Sequence, residues 1–182
     1  MSDSGGTKGA VAIGFILGFF IAIILSLVTA SKVKSTGAVK FCASCHEMNL
    51  FHDTWAESSH GVNQKGVIKA KCADCHLPHD GIVDYLITKS KAGIHDYLAH
   101  LKGKKTDWIS KWKNRGPHAH GAYESGCRKC HKELVAPGIP IKAFTAHRAY
   151  ELGESKLHCI DCHQMAGHGD LVLAMKQVQK EQ

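Results

Sequence analysis

The sequence is poor in aromatic residues, which make up 7% of its 182 residues, and it carries 18 glycines. Once a hydrophobic leader is subtracted, roughly 150 residues remain to fold, which fits one compact domain. A domain of this size with so few large side chains is not expected to build a deep interior from its own residues. Another component must fill that interior.

No cysteine lies outside one repeated pattern, C-x-x-C-H. A disulfide framework would not repeat one pentapeptide, a zinc site needs no histidine directly after its second cysteine, and the βαβ pattern of a thioredoxin-like protein is absent. C-x-x-C-H is instead the c-type haem attachment signal, in which two thiols bind the haem and the histidine ligates the iron. The sequence therefore predicts four covalently bound haem c groups. The four copies are Cys42, Cys45 and His46; Cys72, Cys75 and His76; Cys127, Cys130 and His131; and Cys159, Cys162 and His163.

The formal net charge is +7. A basic chain suggests nucleic acid as a partner, but each haem brings two propionates, which lysine and arginine are suited to pair. The basic excess is therefore attributed to the haems, and we expect no nucleic-acid partner.

No charge lies between Lys8 and Lys32. This run of about 22 residues can cross a hydrocarbon layer of about 30 Å as a helix. We expect a cytoplasmic N-terminus at 1–8, a transmembrane anchor at 9–31 and a tetrahaem domain at 32–182. A cleaved signal peptide is the alternative, because the run ends in small residues, but it is longer than a usual signal peptide core.

Orientation follows from the haems, since the lysines after the anchor point the wrong way under the positive-inside rule. Covalent haem attachment takes place outside the bacterial cytoplasm. We therefore expect a single-pass protein of the bacterial inner membrane with its haem domain in the periplasm. Gly14 and Gly18 form a GxxxG pattern that allows two anchors to pack as a homodimer.

Four irons have eight axial positions, and the motif histidines fill at most four of them. Imidazole is a good iron ligand on both faces, so bis-histidine ligation explains the unusual number of histidines. Ten candidates lie outside the motifs: His52, His60, His79, His95, His100, His118, His120, His147, His158 and His168.

The order of anchor, CASCHEM, CADCHLPH, a long helix, CRKCH and CIDCHQMAGH resembles the NapC/NirT/NrfH family of membrane-anchored tetrahaem c-type cytochromes, which are quinol dehydrogenases. The resemblance covers nearly the whole chain from the anchor onward. We expect one N-terminal transmembrane helix and a mostly α-helical, loop-rich domain with little or no sheet.

Axial ligands are also implied by the resemblance. It makes His60 the distal ligand of the fourth haem, His168 that of the third and His147 that of the second. For the first haem it implies Met48, two residues after the motif histidine, with His46 as the alternative. The opposite face of that iron is expected to be open or guarded by a carboxylate.

The segment 81–103 has apolar residues at helical spacing. Lys89 and Asp96 are two turns apart on nearly the same face. On pattern alone they are solvated charges of an amphipathic helix. The resemblance instead places them in a quinol pocket beside the first haem, where Lys91 is a substitute for Lys89 if the register shifts. His79 is a candidate either for a hydrogen bond in this pocket or for pairing with a haem propionate.

Quinol oxidation releases two protons with two electrons, so a carboxylate near the phenolic oxygen can act as base while a cation orients the ring. The predicted function is oxidation of membrane quinol, favouring menaquinol, with electrons passed to a periplasmic terminal reductase such as a nitrate or nitrite reductase. The alternatives are a tetrahaem shuttle between protein partners with no quinol site, and a terminal reductase in its own right.

Overall fold

A computed structural model describes residues 4–62, 65–103, 106–114 and 121–180. These residues form ten α-helices and no named strand, and the one β-bridge pairs Val62 with Ile68. The predicted α-helical, loop-rich fold class is confirmed. The helices are α1 Ser4–Ser35, α2 Val39–Cys42, α3 Asn49–Glu57, α4 Cys72–His76, α5 Ile82–Leu101, α6 Trp108–Lys113, α7 Glu124–Cys130, α8 Ile141–Glu151, α9 Cys159–Cys162 and α10 Leu171–Lys180.

Helix α1 contains the long apolar run. Its span Lys8–Ser35 contains an 18-residue stretch with a mean hydropathy of 2.9, none of which is buried in the protein. An apolar stretch of this length that the protein leaves uncovered is explained by a lipid environment. Within the described residues it is the one helix long and apolar enough to span a membrane.

Four apolar side chains are buried in the part of the chain described: Val39, Trp55, Leu77 and Met175. Trp55 also donates its indole N–H to the carbonyl of Ala70 at 3.0 Å, which satisfies its one polar atom. Helix α10 packs its Met175 side against α3 and α6. The interior is as small as the composition predicts.

Two of the short motif helices have the same cap. Asp74 in CADCH accepts the backbone N–H of Lys71 at 2.9 Å, and Asp161 in CIDCH accepts that of His158 at 2.7 Å. An acidic side chain at this position satisfies an N–H group that the helix itself cannot pair. Helix α7 lies so close to α4 that a Cβ on Gly126 would stand 2.2 Å from the carbonyl oxygen of Asp74, so only glycine fits there.

Candidate haem and quinol sites

The helices that carry the attachment cysteines pack in chain order. Contacts join α2 to α4, α4 to α7, and α7 to α9, so each motif neighbours the next. The thiols repeat this order, since Cys42 is hydrogen-bonded to Cys72 and Cys127 to Cys159. No disulfide forms between any of the eight cysteines, all of which the structure describes. Both thiols of every motif are therefore available to bind a haem.

Three motif histidines each stand opposite a histidine from elsewhere in the chain. Ring centroids are 6.0 Å apart for His131 and His60, 6.1 Å for His76 and His168, and 6.0 Å for His163 and His147. A separation of this size leaves room for an iron between two imidazoles. These residues therefore fit bis-histidine haems at the second, third and fourth motifs.

In four of these histidines Nδ1 is held by an oxygen of the protein, which leaves Nε2 free for a metal. A hydrogen bond of this kind fixes the ring orientation and tautomer of a metal-binding histidine. Burial also lowers the pKa of His168, so its ring remains neutral, as ligation requires. The contacts are His60 to the Ala166 carbonyl at 2.9 Å, His76 to Gly121 at 2.6 Å, His147 to Leu134 at 2.9 Å, and His168 to the Thr54 hydroxyl at 3.2 Å.

The pairing differs from the one the resemblance implies. His60 faces the third motif instead of the fourth, His168 the second instead of the third, and His147 the fourth instead of the second. The four residues between His163 and His168 form a turn that carries His168 away from its own motif to Thr54 on α3. Closeness in sequence therefore does not decide which motif a distal histidine meets.

The first motif has a different arrangement. His46 Nε2 lies 3.2 Å from Oε1 of Glu47, and the same oxygen accepts a hydrogen bond from Nδ1 of His100 at 3.0 Å. One carboxylate therefore joins the two imidazoles, whose centroids are 5.6 Å apart. The Glu47 backbone N–H first, and then His100, lower the pKa of this carboxyl, which keeps it ionised. Glu47 thus lies against the motif histidine itself, and the expectation for the opposite face of the first iron stays a prediction.

His100 was not assigned a role from sequence, although a signal was present. It follows Asp96 by four residues and therefore lies on the same face of α5. Its contact with Glu47 depends on the approach of α5 to the first motif, which sequence spacing does not give.

Lys89 lies where the anchor meets the first motif. A Cβ on Gly37, two residues beyond the end of α1, would stand 3.4 Å from Lys89 Nζ. Burial lowers the pKa of Lys89, while Cys42 acts to raise it. The pKa of Cys42 is lowered to about 7, first by its hydrogen bond with Cys72, and the charges of Lys89 and Asp96 act on it in opposite directions. The contact with Gly37 therefore places Lys89 where the anchor leads into the first motif.

Asp96 and Lys89 differ in exposure. The Asp96 side chain is 73% exposed and accepts a hydrogen bond from His95 at 3.0 Å, while Lys89 is half-buried with its Nζ 5.7 Å from the centre of the Tyr85 ring. Tyr85, which sequence reasoning missed, also lies 5.8 Å from the His79 ring. Nε2 of His79 is buried without a hydrogen-bond partner in the structure. Lys91, the possible substitute for Lys89, is exposed.

Three of the other histidines contact acidic side chains instead of a motif histidine. Nδ1 of His52 lies 3.0 Å from Asp53, and Nδ1 of His158 lies 2.7 Å from Glu124. The third is His95, bonded to Asp96. His118 and His120 lie outside the described residues.

Comparison with known proteins identifies the family. The sequence pattern described as "NapC/NirT cytochrome c family, N-terminal region" matches residues 6–172, nearly the whole chain. The chain belongs to the NapC/NirT cytochrome c family.

Relatives of this NapC/NirT-family chain include the cytochrome c-type protein TorY of Escherichia coli, 32% identical over 177 residues that cover 88% of this chain. The chain spans only 46% of the length of TorY. The cytochrome c-type protein NrfH of Wolinella succinogenes is 30% identical over 155 residues, covering 82% of this chain and 80% of NrfH.

A solved structure supports the fold of this family member. The chain is similar, with a TM-score of 0.57 and 27% identity, to a chain in the crystal structure of the cytochrome c nitrite reductase NrfHA complex bound to the HQNO inhibitor. The likeness covers 85% of this chain and 90% of that one.

Glu124 joins the third and fourth motifs of this NapC/NirT-family cytochrome. Its carboxylate accepts hydrogen bonds from the Tyr150 hydroxyl on α8 and from His158, the residue before Cys159. Burial opposes ionisation, but Tyr150 and His158 together lower the pKa of Glu124. The same contact raises the pKa of Tyr150 to about 12. Glu124 thus connects α7, the helix of His147 and the start of the fourth motif.

Proposed function

We propose that this chain oxidises membrane quinol, favouring menaquinol, next to its first haem and passes the electrons to a periplasmic terminal reductase. The observation that carries the proposal is the position of Lys89, whose Nζ lies against Gly37, just past the end of α1 and five residues before the first attachment cysteine, Cys42. A substrate that dissolves in the bilayer reaches this end of the protein first. The NrfHA complex supports a reductase partner, since one of its chains is similar to this one.

The chain would hold four haems through its four cysteine pairs. His76 with His168, His131 with His60, and His163 with His147 would ligate three of the irons. For the first, the contact between His46 Nε2 and Glu47 favours Met48 as the ligand. When bound, the haems would supply one-electron acceptors, and the contacts of each motif helix with the next support electron transfer from one haem to its neighbour.

The pocket residues have separate roles in the proposed oxidation. Asp96 would accept a proton from the quinol hydroxyl, since its exposed carboxylate can pass that proton on to water. Lys89 would donate a hydrogen bond to the quinol oxygen and hold the ring against the first motif. The buried Nε2 of His79 is a further polar group near Tyr85 for the same ligand.

The topology proposed for the chain follows from the same chemistry. Residues 1–8 would lie in the cytoplasm, 9–31 would cross the inner membrane, and 32–182 would carry the haems in the periplasm. Gly14 and Gly18, with no atom within 4 Å of an added Cβ, would allow two anchors to approach as a homodimer.

Stopped-flow absorbance of the haem-loaded, full-length protein in nanodiscs, mixed with a menaquinol analogue, tests the proposal. Lys89→Ala and Asp96→Ala are expected to slow haem reduction by about 100-fold, in the range typical for loss of an acid–base group. Lys142→Ala is the matched control, because Lys142 is an exposed lysine of a different helix, α8, and we expect it to keep the wild-type rate.

Two results would reject the quinol site. Wild-type protein that is reduced by dithionite but not by quinol would make the chain a shuttle between protein partners. Equal slowing by Lys142→Ala and Lys89→Ala would show that general charge, and not the pocket, sets the rate.

A further inference from the structure

Helix α5 exposes a broad apolar surface in the haem domain. None of its residues is buried, although it runs for 20 residues from Ile82 to Leu101. Eight large apolar side chains on it are between 37% and 69% exposed: Ile82, Val83, Leu86, Ile87, Ile94, Tyr97, Leu98 and Leu101. A continuous apolar surface of this kind on a folded domain marks an interaction site.

These side chains share one face of α5. At 3.6 residues per turn, all eight fall within an arc of about 160°. Lys89 lies at one border of this arc and Lys91 at the other. An apolar face bordered by lysines is the pattern of a helix that lies in the plane of a membrane surface, with the lysine stems crossing to the head groups.

The position of α5 favours a lipid surface over a protein partner as the occupant of its apolar face. Lys89 Nζ lies within 3.4 Å of where a Cβ on Gly37 would stand, and α1 ends at Ser35. The border of the apolar face is therefore close to the point at which the membrane-crossing helix ends. Since the anchor holds the chain at the membrane permanently, lipid is always present next to α5, whereas a second protein must diffuse to the same face.

We propose that the apolar face of α5 lies on the bilayer surface, inserted among acyl chains with Lys89 and Lys91 at the head groups. The inserted helix would bring Lys89 and Asp96 to the depth at which a lipid-soluble substrate leaves the membrane. Lipid contact by α5 would stand even if the electron donor were not a quinol.

Site-specific photocrosslinking tests this contact. The photoreactive residue p-benzoylphenylalanine is placed at Ile94, in the middle of the apolar arc, or at Ala99, which is exposed on the opposite side of the same helix. The full-length, haem-loaded protein is irradiated in nanodiscs of phosphatidylethanolamine and phosphatidylglycerol. Mass spectrometry then measures lipid adducts at each position. We expect the adduct yield at position 94 to be at least several times that at position 99.

Three outcomes would overturn the proposal. They are equal lipid yields at positions 94 and 99, crosslinks from position 94 to a second copy of the chain, and no lipid adduct at position 94. The second would indicate a dimer interface and the third a face open to water or reserved for another protein.

A second measurement separates lipid contact from the proposed quinol chemistry. The double variant Ile94→Asp and Leu98→Asp places charge on the apolar face without touching Lys89 or Asp96. We expect slower haem reduction by menaquinol in nanodiscs, with unchanged haem content and unchanged reduction by dithionite. An unchanged menaquinol rate would contradict insertion of this face. If wild-type protein failed to react with menaquinol but gave lipid adducts at Ile94, the quinol function would fail and the lipid contact would remain.

Discussion

His100 Nδ1 and Glu47 Oε1 are 3.0 Å apart, although 53 residues of chain separate them. The contact joins α5 to the turn that follows the first attachment site. Through the same oxygen, Glu47 also engages Nε2 of His46, the nitrogen that a motif histidine offers to iron. The position of one carboxylate therefore bears on which residue ligates the first haem.

Replacing Glu47 tests this relationship. In Glu47→Ala, His46 is released and competes with Met48 for the first iron. We expect the methionine signature in near-infrared magnetic circular dichroism to weaken and the reduction potential of one haem to fall, because methionine ligation raises the potential relative to histidine. Asp53→Ala is the control, since Asp53 also bonds a histidine but stands beside no motif histidine in the structure. An unchanged spectrum in Glu47→Ala would contradict the role given to Glu47.

The three distal histidines can be tested singly. In His60→Ala, His147→Ala or His168→Ala, one iron loses an axial ligand, so we expect one haem per variant to become high-spin in electron paramagnetic resonance spectra. Added imidazole should restore the low-spin signal by filling the missing position. His52→Ala should leave all spectra unchanged because His52 packs beside Trp55 and Asp53. A variant that keeps every low-spin signal would remove that histidine from the ligand set.

Tyr150→Phe removes one of the two hydrogen bonds that Glu124 accepts from neighbouring side chains. A hydrogen bond to a partly exposed carboxylate contributes about 1 kcal/mol, so we expect the midpoint of thermal unfolding to fall by a few degrees. Tyr97→Phe, at an exposed tyrosine of α5, should have no comparable effect. Equal stability of the two variants would mean that the Glu124 contact adds nothing to the fold.

Gly126→Ala tests the close packing of α7 on α4. The new Cβ would overlap the carbonyl of Asp74, and forcing the two helices apart is expected to cost about 1–3 kcal/mol. Gly93→Ala is the matched control in the interior of α5, where an added Cβ meets nothing within 4 Å and alanine is expected to gain up to about 1 kcal/mol. Thermal unfolding followed by circular dichroism compares them. A Gly126→Ala protein as stable as wild type would contradict the fit.

The features that could be predicted from the sequence depend on residues that are close together along the chain. Each C-x-x-C-H motif carries both thiols and the histidine of one haem attachment site, and the anchor is one uninterrupted run of apolar residues. The pairing of distal histidines could not be predicted, because it depends on the turn that carries His168 to Thr54 and on the approach of His60 to Ala166. Tyr85 was missed although it precedes Lys89 by four residues on α5, a spacing that brings the two side chains together. Its contact with His79 depends on the path of the chain into α5.

The small interior affects how long the protein survives in the cell before its haems are attached. With four buried apolar side chains in the described part of the chain, the polypeptide buries too little surface to hold its fold once the haems are taken away. A chain released into the periplasm before its haems are attached would stay open to proteases and be degraded. Its steady-state abundance would then follow haem supply and the capacity of the attachment machinery more closely than transcription of its gene.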